Sequence, residues 1–124
     1  MILCDTNILI EIFRKNLIIR SELDKIGYKN IVISDVTRAE LFIGAKNKIE
    51  LQTIRKHLST LHTLHIKSDI SEIAVKLIDE YCLSHSLKLA DALIAATAIY
   101  HDIELFTLNL KDFKYIPNIK LHKY

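Results

Sequence analysis

The sequence predicts a three-layer α/β/α sandwich built on a central, mainly parallel sheet. Short apolar runs typical of strands alternate with longer segments of helical periodicity, which is the pattern of a parallel sheet with helices on both faces. The chain has 124 residues and contains no linker, repeat or low-complexity stretch. We therefore expect one domain, residues 1–124, with a core of its own.

Local signals give the elements in order. The apolar run before Asp5 predicts the first strand, and Ile31-Val32-Ile33-Ser34 and Leu105-Phe106-Thr107-Leu108 predict two others. Gly27 and Gly44 stand where helices should end, as glycines at C-terminal caps do. The expected order is strand 2–5, helix 7–14, helix 17–27, strand 31–34, helix 35–45, helix 48–61, strand 63–66, helix 69–84, helix 89–101, strand 104–107 and strand 119–122.

Composition narrows the class of protein. An apolar fraction of 50% with 26% charged residues is typical of an ordinary globular chain, and no apolar run approaches the roughly 18 residues of a membrane span. The chain begins with a predicted strand rather than a signal peptide, so we expect a cytoplasmic protein in which Cys4 and Cys82 are buried, reduced thiols. The net charge of +2 does not by itself indicate a nucleic-acid partner. Two basic groups are either solvated faces or phosphate-contacting patches: Lys46, Lys48, Arg55 and Lys56, and Lys111, Lys114, Lys120 and Lys123.

Four carboxylates stand against apolar segments: Asp5, Glu40, Asp91 and Asp112. Isolated buried charge is costly, so these positions require a reason. Asp91, for example, is the only charged residue between Leu89 and Tyr100. Oxygen ligands drawn from separate segments are what a hard divalent cation needs, so a metal site is the leading hypothesis.

The four segments are expected to meet at one edge of the sheet. Asp5 and Asp112 each follow a strand. Glu40 lies on the helix after strand 31–34, and Asp91 lies in the first turn of the helix before the strand at 104. Ligands of parallel sheets collect outside the carboxyl ends of the strands. Carboxylates brought together there repel one another, so at least one should have a raised pKa.

Each acid also has a purely structural interpretation. Asp5 could cap the first helix, and Asp91 could complement a helix dipole. Asp112 lies in a segment that Asn109 could cap as a single helical turn. Glu40 is harder to explain in this way, because the residues three and four positions from it offer no cation.

Other chemistries have weaker support. His62 and His65 are three apart on a predicted strand, where that spacing is not a zinc signature. The sequence has no Gly-rich phosphate loop, and no motif supports a Ser/His/Asp triad.

Four segments, in order along nearly the whole chain, carry a family resemblance. They are Leu3-Cys4-Asp5-Thr6-Asn7, Ser34-Asp35-Val36-Thr37-Arg38-Ala39-Glu40-Leu41 with Gly44, Ala90-Asp91-Ala92-Leu93-Ile94-Ala95-Ala96-Thr97-Ala98, and Phe106-Thr107-Leu108-Asn109 with Asp112-Phe113. At these spacings the chain resembles a PIN-domain ribonuclease, and most of all the VapC toxins of type II toxin–antitoxin systems.

The resemblance implies a PIN-like fold and a metal-dependent endoribonuclease in which Asp5, Glu40 and Asp91 hold Mg²⁺ or Mn²⁺. The fourth position departs from the family pattern. Many relatives have Asp two residues after the threonine, where this chain has Asn109, with Asp112 three residues further on. Either residue, or both, would complete the site.

The resemblance also implies supporting residues and partners. Thr6 and Thr107 would orient the carboxylates, with Asn7 and Asn109 beside them. The partners would be an RNA substrate and a cognate antitoxin whose tail enters a groove near the acids. Many similar toxins form homodimers, and we expect that surface on the helices between Lys48 and Cys82. The apolar residues that suggest it are Leu58, Leu61, Ile73, Val75, Leu77 and Ile78.

Two alternatives remain. A PIN-like module that binds RNA or a partner protein without cutting is kept open by Asn109. A Mg²⁺-binding phosphoacceptor receiver domain would require adjacent acids after the first strand and a lysine after the last. This chain has a lone Asp5 and Thr107 at the corresponding places.

Overall fold

The computed structural model describes all 124 residues and confirms the α/β/α prediction. The five strands are β1 (Ile2–Cys4), β2 (Ile31–Ser34), β3 (His62–Leu64), β4 (Glu104–Phe106) and β5 (Lys120–Leu121). They form one wholly parallel sheet in the order β3-β2-β1-β4-β5. The strand order reverses direction at β1, so the crevice between the ends of β1 and β4 is where such a sheet binds ligands.

Six helices connect the strands, close to the predicted positions. They are α1 (Thr6–Phe13), α2 (Leu17–Ile26), α3 (Asp35–Ile43), α4 (Lys48–Leu58), α5 (Ser68–His85) and α6 (Leu89–His101). Two short 3-10 turns, Tyr28–Asn30 and Leu110–Asp112, complete the chain. Gly27, with a φ of 88°, ends α2 as predicted, because few other residues adopt that backbone conformation. None of the six helices has both the length and the apolar character needed to cross a bilayer.

Successive side chains along each strand point to opposite faces of the sheet, so the core has two layers. Leu3 and Leu105 face one side of the sheet, where α5 and α6 pack. Cys4 and Phe106, the next residues along, face the other side, against α1 to α4. The period of two in strand side chains thus accounts for a sheet that is buried on both faces.

Two expectations about exposure are wrong. Of the six apolar residues proposed for a dimer surface, only Val75 is well exposed; Leu58 and Leu77 are 5% and 9% exposed, and the others pack partly against the core. Their apolar pattern is explained by burial against the sheet and neighbouring helices. Cys82 is also exposed rather than buried, because its position on α5 faces away from that packing.

Candidate active site

Asp5 is held at the centre of the sheet edge. It follows β1 directly, is 5% exposed, and its backbone N–H donates to Phe106 O at 2.9 Å. One carboxylate oxygen accepts from Thr6 N at 2.8 Å, and the other accepts from Thr107 Oγ1 at 2.8 Å and from Asn7 Nδ2 at 3.4 Å. Asp5 therefore caps α1, as the structural interpretation expected. It also accepts a hydrogen bond from Thr107 in the loop after β4.

The Asn7 side chain also contacts the loop after β4. Its side-chain oxygen accepts from Leu108 N at 3.3 Å, and its amide nitrogen lies 3.5 Å from Thr107 Oγ1. Asn109 contributes its backbone N–H, which donates to Thr107 Oγ1 at 3.1 Å. The loop geometry thus fixes the Thr107 hydroxyl against Asp5, which carries the negative charge.

Glu40 is positioned by the start of α3 and by α1. Ser34 ends β2 and caps α3 by accepting from Thr37 N at 3.2 Å. Glu40 lies one helical turn after Thr37, exposed to solvent, and accepts a hydrogen bond from Thr6 Oγ1 at 2.6 Å. The Thr6 and Thr37 hydroxyls are 3.1 Å apart. The nearby cation on α3, Arg38, pairs with Asp35 instead. The Thr6 hydroxyl orients Glu40.

Asp91 enters from the opposite layer. It occupies the first turn of α6 and is half-buried. Lys88, the residue before that helix, supplies the positive charge that acts on it most directly and lowers its pKa. This contribution is smaller than those that raise the pKa of Asp91, so the first turn of α6 holds a partly uncompensated acid.

Asp112 ends the 3-10 turn after β4 and is exposed. Its backbone N–H donates to Asn109 O at 3.0 Å, but the Asn109 side chain does not cap the turn. The capping role considered for Asn109 is therefore wrong. Asp112 acts on both Asp5 and Asp91 through its charge, whereas Asn109 carries no charge.

The four carboxylates act on one another electrostatically. Burial is the main cause that raises the pKa of Asp5; the Thr107 and Thr6 hydrogen bonds oppose it, and the charges of Glu40 and Asp112 add to it. Burial, followed by the charges of Asp5, Asp112 and Glu40, raises the pKa of Asp91 to about 6. The predicted rise in pKa from mutual repulsion is present at two positions.

These side chains suit a hard cation. No three Asp, Glu, His or Cys side chains already converge on one ion position. A hard divalent cation can keep several waters rather than requiring an all-protein cage. Carboxylate oxygens whose charges act on one another fit such a partly hydrated cation.

A groove of about 610 Å³ opens beside Glu40. Helices α1, α3 and α4 line it, with Ile10, Phe13 and Ile54 among its apolar residues and Lys46 among its charged ones. Glu40 is the only one of the four acids that lines this groove.

Sequence reasoning missed three neighbours of the acids. Thr37 precedes Glu40 by three residues and Lys88 precedes Asp91 by three, so helical spacing could have identified both. Tyr115, whose pKa is raised by burial and by the charges of Asp91 and Asp112, had no sequence signal. Conversely, His65 serves structure at a neighbouring strand end, where its Nδ1 lies 2.9 Å from Asp35 Oδ1.

The sheet order does not match a receiver domain. Receiver domains have the flavodoxin-like order 2-1-3-4-5, whereas this sheet places β3 at one edge and β1 at its centre.

Comparisons with known proteins agree with this architecture. A sequence model of the PIN domain matches residues 2–118. Ribonuclease VapC19 of Mycobacterium tuberculosis is 32% identical over 124 residues, which cover 97% of this chain and 98% of that protein. The structure of a toxin–antitoxin complex from Klebsiella pneumoniae superposes with a TM-score of 0.81 at 39% identity, covering 96% of this chain and 95% of that one. The structure of VapBC2 from Rickettsia felis bound to a DNA fragment from their promoter gives a TM-score of 0.84 at 30% identity, covering 100% and 99% of the two chains. The match to the family model spans most of the chain, from the first strand to the loop before the last, so this chain belongs to the PIN domain family.

Proposed function

We propose that residues 1–124 form a single nuclease domain that hydrolyses RNA phosphodiester bonds and acts as the toxin of a type II toxin–antitoxin module. The observation that carries the proposal is the group of four carboxylates, in which burial, together with the charges of the neighbouring acids, raises the pKa values of Asp5 and Asp91. The similarity to Ribonuclease VapC19 supports the RNA substrate. A cytoplasmic location is part of the proposal.

In this proposal Asp5, Glu40, Asp91 and Asp112 hold Mg²⁺ or Mn²⁺. When bound, such an ion supplies charge neutralisation at the phosphoryl oxygens and a water of lowered pKa as nucleophile. Asp5 would be the most rigid of the four, because Thr6, Asn7 and Thr107 fix its carboxylate. None of these side chains needs to form a covalent intermediate.

Asp112 rather than Asn109 would be the fourth acid. Asp112 carries a charge that acts on Asp5 and Asp91, while the contact that Asn109 makes with Thr107 uses its backbone N–H. Asp112→Asn should therefore lower RNA cleavage at least tenfold, since a charged ligand is lost. Asn109→Ala should keep activity within a few-fold of wild type. Equal losses in both variants would mean that the Asn109 side chain is also needed.

The direct test is cleavage of total RNA by purified protein with EDTA, Mg²⁺ or Mn²⁺. We expect discrete fragments that require a metal and disappear in Asp5→Asn and Asp91→Asn. Asp79→Asn, which changes an exposed acid on α5, is the matched control and should cleave like wild type. Intact RNA after incubation of folded wild-type protein with both metals would overturn the proposal in favour of a binding module without nuclease activity.

The partner would be an antitoxin that occupies the groove beside Glu40. A segment with an apolar face would pack on Ile10, Phe13 and Ile54, and a basic side chain could reach Glu40. The structural similarity to a toxin–antitoxin complex supports this choice. Phe13→Lys should abolish co-purification of the product of a neighbouring small reading frame and leave RNA cleavage intact.

A homodimer also remains part of the proposal. Of the six apolar side chains expected at its surface only Val75 is well exposed, so these six residues do not define that surface. Light scattering that shows a monomer at working concentrations would count against it.

A further inference from the structure

Three aromatic rings form a cluster near the end of α5, and the proposed chemistry does not use them. His85 and Tyr115 are stacked, with ring centroids 3.9 Å apart and an interplanar angle of 12°. Tyr81 lies edge-on to both, 5.7 Å from His85 and 5.2 Å from Tyr115. The two stacked rings therefore lie face to face in nearly parallel planes.

This aromatic cluster adjoins the acidic crevice along two segments. His85 ends α5, and α6 begins at Leu89 with Asp91 in its first turn. Tyr115 follows Asp112 in the loop after β4, and that loop is closed by a hydrogen bond from Lys114 N to Leu110 O at 2.8 Å. The charges of Asp91 and Asp112 reach the Tyr115 phenol and help raise its pKa. The stacked rings and these two acids are thus neighbours.

One side of the cluster serves the core and the other is open. Tyr81 and Tyr115 are partly buried and pack against the α5/α6 core layer. His85 is exposed, so a planar group from solvent can extend the stack on it. Lys88, Lys111 and Lys114 are also exposed, and they lie on the segments that carry Asp91 and Asp112. These two segments therefore carry positive charges that are open to solvent.

We propose that the stacked pair His85–Tyr115 binds an unpaired base of single-stranded RNA beside the phosphodiester that enters the acidic crevice. The inference rests on the proposed nuclease function and adds to it a site that contacts a base of the substrate. A base can stack on an aromatic ring only when it has left a duplex, while the lysines neutralise the adjoining phosphates. His85 and Tyr115 are positioning residues in this arrangement, because they contact a base and not the reacting phosphate.

Single-stranded and double-stranded RNA should differ in their binding to His85. Bases within an A-form helix are stacked on their neighbours and cannot reach His85. The cleaved position should therefore lie in a loop, a bulge or an unpaired end. A fully paired version of the same sequence should bind more weakly and should not be cut at that position.

The test measures binding separately from cleavage. The probes are short single-stranded oligoribonucleotides in which 2-aminopurine replaces one base at a time, mixed with the Asp5→Asn protein in Mg²⁺ so that no probe is consumed. Stacking on His85 should quench 2-aminopurine fluorescence at one position of the probe. In the same background, His85→Ala should remove the quench and weaken binding about tenfold, as loss of one base–aromatic stack does. His85→Trp should restore both, since it keeps a planar ring.

Matched variants distinguish this role from a structural one. His62→Ala removes an exposed histidine from β3 and should bind the probes like the Asp5→Asn parent. Tyr115→Phe keeps the stack and should bind like the parent, whereas Tyr115→Leu should weaken binding. Thermal melting of each variant separates loss of binding from loss of folding. Parent-like affinity and quenching in His85→Ala would overturn the proposal, as would a change confined to oligomeric state, which would make the rings a protein-contact surface.

Failure here and failure of the nuclease proposal give different results. Wild-type protein that cuts RNA without a position-specific quench retains its nuclease function and loses only the base-stacking site. A quench that depends on His85 in a protein that cuts no RNA would identify a single-strand binding module.

Discussion

The Thr107 hydroxyl donates a hydrogen bond of 2.8 Å to the Asp5 carboxylate across 102 residues of sequence, inside a buried environment. This bond ties the end of β4 to the end of β1, the two strands at the point where the sheet order reverses. It also opposes the effect of burial on the pKa of Asp5. A single side-chain contact therefore affects both the stability of the crevice and the charge of its central acid.

Thr107→Val should weaken stability and activity together. The change keeps the shape of Thr107 but leaves one oxygen of Asp5 without its hydroxyl donor, which should cost about 1–3 kcal/mol of unfolding free energy. The pKa of Asp5 should rise further, and metal affinity should fall about tenfold or more, as it does when a ligand loses its orienting partner. Denaturant unfolding and metal titration followed by calorimetry measure the two effects.

Thr107→Ser is the control for that variant, since it keeps the hydroxyl group. It should retain most of the metal affinity and lose only the small packing contribution of one methyl group. Wild-type metal affinity in Thr107→Val would show that the hydroxyl does not orient Asp5.

Asp91→Asn should stabilise the metal-free protein while abolishing cleavage. At pH 7 the wild-type Asp91 is charged, half-buried and repelled by Asp5, Asp112 and Glu40, and the amide removes that repulsion. With allowance for solvent screening at a half-exposed group, we expect a gain of about 1 kcal/mol and a few degrees in Tm. Calorimetric melting in EDTA measures it, and Asp79→Asn should show no such gain.

The sign of the pH dependence follows from the same residue. Folding raises the pKa of Asp91 from 3.8 to about 6, so the folded protein binds this proton more tightly than the unfolded chain. Its contribution to stability is greatest at low pH and falls as pH rises from about 4 to 6. Asp91→Asn should flatten that part of the stability curve. An unchanged curve would mean that another group titrates there.

Metal binding and protonation should compete at Asp91. Because the pKa of Asp91 is about 6 without metal, RNA cleavage at limiting Mg²⁺ should increase with pH through about that value. More Mg²⁺ should shift the rising limb to lower pH, since a bound cation favours the ionised carboxylate. Cleavage rates measured across pH at several metal concentrations test this. If the rising part of the pH–rate curve stays at the same pH as the Mg²⁺ concentration increases, the titrating group lies outside the metal site.

The sequence was sufficient to predict the order of elements, because each element depends on local pattern. The same local pattern marked the four acids as candidates for the site, and their role stays a prediction. The runs before Asp5 and around Asp91 are apolar over several residues, and strand or helix periodicity can be read directly from them. Contacts between segments could not be predicted in this way. The Thr6–Glu40 bond at 2.6 Å and the effect of the Asp91 charge on Tyr115 depend on how the layers meet, which no local pattern encodes. Most of the apolar residues expected at a dimer surface pack inward for the same reason, since an apolar helix face has the same pattern whether it packs inward or against a partner.

His122 should make stability fall as pH rises above 6.5, the ordinary pKa of a histidine. Its two ring nitrogens lie 2.9 Å from Glu22 Oε1 and 2.9 Å from Glu104 Oε1, an arrangement that requires a doubly protonated imidazolium. Burial opposes this charge, but the two glutamates outweigh it and raise the pKa of His122 above 6.5. The stabilisation is therefore complete below pH 6.5 and is lost as pH rises through the higher pKa of the folded state.

His122→Gln tests that argument. It should lower the unfolding free energy by about 1 kcal/mol at pH 6 and by much less at pH 9, because only the charged ring contributes the ion pairs. The affected region should be the last strand, since His122 N also donates to Leu105 O at 2.9 Å and joins β5 to β4. Hydrogen exchange across β5 together with melting at both pH values measures the effect, and His62→Gln, on an exposed edge-strand histidine, is the control. A destabilisation equal at pH 6 and pH 9 would mean that His122 contributes through packing against Phe106, whose ring centroid lies 4.9 Å away, rather than through charge.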